Sequence, residues 1–193
     1  MAISKVIKAI GVSVLTLGLW TSAQAGVISC GDTYRQASLG SAESCEAQTI
    51  GSTAKKADID AIFGGSWTKV GELKAAGGNE WLSITGTGWG SGAASGTWAI
   101  DPAFWLTYGS AVISMHVGGG QKNAVDNFEW LVTPETLSGT WSYSKLTGKG
   151  GGLSNIKLWG SGTPTVNVPE PGSVLLLLIG LLSVGVMRRR NTV

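Results

Sequence analysis

From Trp67 onward, no run in this chain continues long without a turn residue. "KVGEL", "EWLSITGT", "SGTWAI", "FWLTYGSAVISMHVGG", "NFEWLV", "LSGTWSYSKL" and "LSNIKLWG" are rich in Val, Ile, Thr and aromatic residues, and each is bounded by Gly, Asn, Asp or Pro. Short β-formers between turn residues read as strands. Thirty glycines in 193 residues supply the turns. No long stretch of 3.6-residue period competes, so the expected fold is all-β, an antiparallel β-sandwich or jelly-roll-like body. "KKADIDAIFGGSW", Lys55 to Trp67, reads as a helical turn or an edge segment. The polar stretch Ser29 to Thr53 precedes it, and strands are expected some twenty residues after Cys45.

Alternation supports individual strands. Ala111, Ile113, Met115 and Val117 share one face, with Ser114 and His116 on the other. Ile156 and Leu158 share a face, with Lys157 opposite. "SGTW" occurs at Ser95–Trp98 and again at Ser138–Trp141, which hints at similar hairpins but is too little for a repeat architecture. Eight tryptophans stand between Trp67 and Trp159. Core packing is the expected role for most of them, Trp98 and Trp141 above all. Trp89, in "GTGWGSG", is the candidate for an exposed loop ring that stacks on sugar.

The two ends carry targeting signals. Lys5 and Lys8 precede an apolar run from Ala9 to Trp20, and Ala23-Gln24-Ala25 stands before Gly26. This is the pattern of a secretory signal peptide over residues 1–25, cleaved at Gly26; the run is short for a transmembrane helix. Near the C-terminus, Ser173 to Met187 is a fifteen-residue stretch without charge, followed by Arg188, Arg189 and Arg190. As a helix it reaches about 22 Å, short of a bilayer core unless the arginines extend to the headgroups. Physics alone leaves a tail anchor and a processed signal open, with the arginines inside in either case. Pro169 and Pro171 hold Glu170 in an extended conformation just outside the apolar run.

Val168-Pro169-Glu170-Pro171-Gly172, the apolar run and the three arginines, in this order at the C-terminus, resemble the PEP-CTERM sorting signal. The resemblance implies recognition by exosortase, a membrane-embedded transpeptidase-like enzyme, with removal of the tail and delivery of the body to the cell surface or an exopolysaccharide matrix. "SGTW", "VISMHVGGG", "SGTWSY" and "GLSNIKLWG" extend the likeness to the bodies of many PEP-CTERM proteins over roughly residues 63–161, although His116-Val117 stands where lysine is frequent. The chain then divides into a signal peptide (1–25), an exported domain (26–167) and a sorting and anchor segment (168–193). Its expected partners are signal peptidase and the secretion machinery, the inner membrane before processing, and exosortase; exopolysaccharide is a further candidate.

With both ends removed, nine of the fourteen basic residues remain against eleven acidic ones. A body with net charge −2 and no basic patch gives no case for nucleic acid. Cys30 and Cys45 are two cysteines in an exported segment, which favours a disulfide; a metal pair would lack nearby ligands. His116 is the single histidine and reads as a surface residue of a strand. With no nucleophile elbow, no metal set and no calcium loop around Asp58, Asp60, Asp101 or Asp126, the expectation is no cofactor, no metal and no enzyme. Those aspartates read as solvated or capping groups. The competing readings are a secreted carbohydrate-binding module and a polysaccharide-active enzyme, whose carboxylate pair the sequence does not select.

Overall fold

The structure, a computed structural model, describes residues 26–119 and 121–164. The signal segment with Ala23 and Ala25, and the sorting segment with Pro169, Glu170, Pro171 and Arg188 to Arg190, lie outside the described residues. So do the last residues of the expected 26–167 domain. No helix among the described residues is long and apolar enough to cross a membrane.

Eleven strands form two antiparallel sheets. The first sheet runs β1 (Val27–Gly31), β2 (Arg35–Gly40), β10 (Ser138–Lys145), β7 (Ala93–Ile100), β6 (Leu82–Thr87), β5 (Gly77–Gly78). The second runs β3 (Ala42–Gln48), β9 (Asn127–Val132), β8 (Ser110–Val117), β11 (Leu153–Ser161), β4 (Thr68–Leu73). Inward side chains of both sheets share one core, including Leu39, Ile84, Trp98, Trp141, Ile113, Phe128, Trp130 and Leu158.

The "SGTW" repeat is a packing device. The two copies pair antiparallel, with Trp98 opposite Gly139 and Trp141 opposite Gly96. In an antiparallel pair, opposed residues point to the same face. Gly139 leaves room for the Trp98 indole, and Gly86 on β6 for that of Trp141, whose Cζ2 would lie 2.7 Å from a Cβ there. A Cβ on Gly139 would lie 2.7 Å from Trp98 Nε1 and 2.6 Å from the Gly40 carbonyl oxygen. Both tryptophans are buried, as their matched contexts suggest.

Two sequence expectations change, and one left open between two readings is decided. Strands begin at Val27, because the polar stretch supplies β1 to β3; β1 and β3 are edge strands and keep many side chains exposed. Lys55 to Trp67 resolves as α1 (Lys56–Phe63), with the Asp58 carboxylate accepting from the Lys55 amide at 2.7 Å. "FWLTY" is not strand: Pro102–Trp105 forms α2, capped by Asp101, which accepts from Ala103 N at 2.8 Å. Proline at the first helical position behind an aspartate is a helix start.

The face of β8 that bears Ser114 and His116 is not open to water either. Ile50 to Trp67 crosses the outer side of the second sheet as a strap, and Ala54, Ile59, Trp67, Val112 and Trp159 form a second apolar cluster beneath it. Asn127 pins the strap by accepting from Ala54 N (2.9 Å) and donating to Ser52 O (2.8 Å). Lys157 donates to Ala54 O (2.8 Å). Cys30 and Cys45 form the expected disulfide, Cα atoms 6.0 Å apart. It ties edge strand β1 of one sheet to edge strand β3 of the other.

Register places both ends of the body at one pole. Val27 pairs with Gly40 and Ser161 with Ser110; Ala42 and Ala111 both face Val132. Gly26, the Ser41 turn, α2, the 133–137 turn and residues 162–164 thus share this pole, and the Ser41 amide donates to the Gly26 carbonyl. The opposite pole collects the turns after β1, β6, β8 and β10.

Candidate functional site

That opposite pole is built from glycine-rich loops: 88–92, 118–126 (Gly120 is outside the described residues) and 146–152. Backbone bonds join them. Gly90 N donates to Leu153 O, Gly118 N to Gly152 O, Gly151 N to Gly118 O, and Lys145 N to Gly92 O. Loops this close need residues without side chains. Gly151 has φ +79°, and a Cβ there would lie 2.9 Å from both Arg35 Nε and the Tyr143 hydroxyl.

Arg35 is the floor of this pole. It is buried, with Nη1 donating to Val125 O at 2.9 Å and Nη2 to Gly119 O at 3.4 Å. Asp32 accepts from the amides of Tyr34 (2.7 Å), Arg35 (2.7 Å) and Val125 (2.8 Å). Burial pushes the Asp32 carboxyl up, but those amides and the Arg35 charge outweigh it and hold the group below its usual range. Tyr143 donates to Gly151 O, and burial raises its hydroxyl pKa despite the nearby guanidinium. A network of this kind fixes the loops.

What the pole presents to solvent is positive. Lys122, Lys145 and Lys149 are exposed. Its two carboxylates are occupied: Asp32 as above, and buried Asp126 by the amides of Ile50 (2.9 Å) and Gly51 (2.7 Å). Trp89 belongs to the same pole, but not as the freestanding ring expected. It is half-buried, its ring edge-on to Trp141 at 6.2 Å, and its Nε1 has no partner among the described residues. The tail-side pole is the reverse in charge. Glu43, Glu80, Asp101 and Glu135 are exposed there, beside the apolar Val27 (63% exposed), Leu106 (80%) and Leu137 (46%).

The strapped face holds the most perturbed groups. Glu46, Glu129, Ser114, Lys157 and Glu72 follow one another across strands β3, β9, β8, β11 and β4. Glu129 has 0% exposure and neither carboxyl oxygen has a partner among the described residues. Burial, then the negative Asp58, Asp126 and Glu46, push its pKa to about 8. The Ser114 hydroxyl accepts from Trp159 Nε1 at 2.8 Å. His116, expected at the surface, is half-buried with Nδ1 unpartnered among the described residues; burial lowers its pKa. Beside the strap, Lys55, Lys56, Lys69 and Lys157 with Trp67 and Trp159 line an open cleft of about 380 Å³. Its cations are mostly spent: Lys56 pairs with Asp60, Lys69 with Glu72 at 2.8 Å, and Lys157 with the Ala54 carbonyl. No group of three or more His, Cys, Asp or Glu among the described residues is arranged to hold a metal ion. Asp58 and Asp101 cap helices, and Asp60 accepts from Trp67 N at 2.9 Å.

The family model for the PEP-CTERM protein-sorting motif matches residues 167–191. The chain therefore contains a PEP-CTERM sorting domain. The motif implies export, membrane-anchored sorting, and exosortase as the processing partner. No curated protein and no solved structure matches the chain.

Proposed function

We propose that the chain is a substrate of exosortase whose non-catalytic β-sandwich body is released from its anchor and stays at the cell surface or in the extracellular matrix. The observation that carries this reading is the sorting motif at residues 167–191. Signal peptidase cuts before Gly26, Ser173 to Met187 holds the chain in the inner membrane, and the arginines stay inside. Both cuts then fall at the same pole of the body. From Pro164, the last described residue, to Pro169 is five residues, at most about 18 Å of extended chain. The enzyme works close beneath the acidic pole.

The chemistry of the body supports a non-catalytic role. Glu129, the carboxyl with the most raised pKa, is sealed under the strap. Ser114 is held by an indole, and a general acid or nucleophile must reach substrate to act. The test is a cell fractionation of the host with and without its sorting enzyme. The reading expects full-length precursor to accumulate in the inner membrane without the enzyme. Release to the surface at the normal rate in its absence would refute it.

A further inference from the structure

We propose that the glycine-loop pole binds an acidic, uronate-bearing polysaccharide through Lys122, Lys145 and Lys149. This deepens the proposed surface role and rests on it for where the ligand is met. Three observations carry it. The two poles differ in exposed charge, with Lys122, Lys145 and Lys149 at one end and Glu43, Glu80, Asp101 and Glu135 at the other, while Lys55, Lys56 and Lys69 line the strap-side cleft and Lys74 follows β4. A body of net charge −2 attracts a polyanion only through such a local patch, and repels it elsewhere. The loops that carry the lysines are tied to one another and to buried Arg35, so the cations sit on a fixed platform. Finally, the chain leaves toward its anchor from the acidic pole, which turns the basic pole away from the bilayer.

That orientation selects among anions. Before release the anchor holds the acidic pole toward the bilayer, so lipid headgroups face the wrong end; after release the exported body meets glycans before nucleic acid. The strap-side cleft is the weaker site, since Asp60, Glu72 and the Ala54 carbonyl already engage three of its four lysines. Each exposed lysine contributes little by itself, so affinity comes from repeated uronates along one polymer.

The experiment passes the full chain, in mild detergent, over polygalacturonate beads and over neutral dextran beads. The expected result is retention on the first and none on the second, lost as salt rises. The variant Lys122→Gln/Lys145→Gln/Lys149→Gln is expected to bind about tenfold more weakly, with an unchanged unfolding midpoint. The control Lys55→Gln/Lys56→Gln/Lys69→Gln is expected to bind as the parent does. Equal retention on dextran, equal losses in the two variants, or no loss in the first would overturn the proposal. Duplex DNA eluting the protein as well as free polygalacturonate at matched charge would overturn the assignment to a glycan. Fractionation with and without the sorting enzyme stays a separate readout, so failure to bind and failure to be sorted are told apart.

Discussion

Replacing Glu129 with Gln should flatten the dependence of stability on pH. Glu129 is fully buried, and burial, Asp58, Asp126 and Glu46 raise its pKa from 4.5 to about 8. A carboxyl whose folded pKa lies above its unfolded value binds more protons when folded. Stability therefore falls as pH rises between those two values. At about 1.36 kcal/mol per unit, the loss reaches about 3 kcal/mol by pH 7 and about 4 kcal/mol by pH 8, where half of the folded carboxyl is already ionised. That is a large fraction of the stability of a small domain. Glutamine keeps the shape and an unpartnered polar head, and it does not titrate. Its own burial cost is the same at every pH, so the slope carries the answer rather than the absolute stability. His116, lowered by burial, costs stability toward acid and acts in both proteins alike, as does Lys157, also lowered by burial. The assay is denaturant unfolding of parent and Glu129→Gln at pH 5, 6, 7 and 8. The stability of the variant minus that of the parent should grow by about 1 kcal/mol per pH unit across the window. A constant difference would refute the buried, unpartnered carboxyl.

Gly139→Ala should cost about 1–3 kcal/mol, read by denaturant midpoint, because its Cβ enters the space of the Trp98 indole. Replacing Cys30 and Cys45 together by Ser should cost about 3 kcal/mol for a separation of 15 residues, and hydrogen exchange should rise in β1 and β3 first. Asp101→Ala should cost about 1 kcal/mol by removing the cap of α2, visible as a lower unfolding midpoint. Glu170→Ala should leave precursor in the inner membrane, detected by immunoblot of fractions.

The strands β4 and β6 to β11 were legible because their β-branched and aromatic runs end at turn residues, and local chemistry sets both; β5 is two glycines and carried no such signal. Trp98 and Trp141 were legible as core because two copies of one short motif recur, although the glycines that make room for them, Gly139 and Gly86, needed the register. The helix α2 was misread because Phe104 and Trp105 are good strand formers; the Asp101–Pro102 start signal was present and outweighs them. Edge strands β1 and β3 keep most of their side chains out of the core, and in β2 only Ala37 and Leu39 enter it, so alternation was faint. The strapped face was hidden for a different reason. Glu129, Ser114 and Lys157 alternate as solvent-facing residues do, and the segment that covers them, Ile50 to Trp67, is remote from them in the chain. The charge difference between the poles has no local signal, because sheet topology sets the Lys122 loop beside the loop that carries Lys149.

The central claim is that the chain is cut at both ends and its tail removed by exosortase. Intact mass spectrometry of the protein recovered from the host surface tests it most directly. The expected mass corresponds to a chain that begins at Gly26 and ends near the Pro169-Glu170-Pro171 motif. A surface protein that still carries Met187 to Val193 would contradict it.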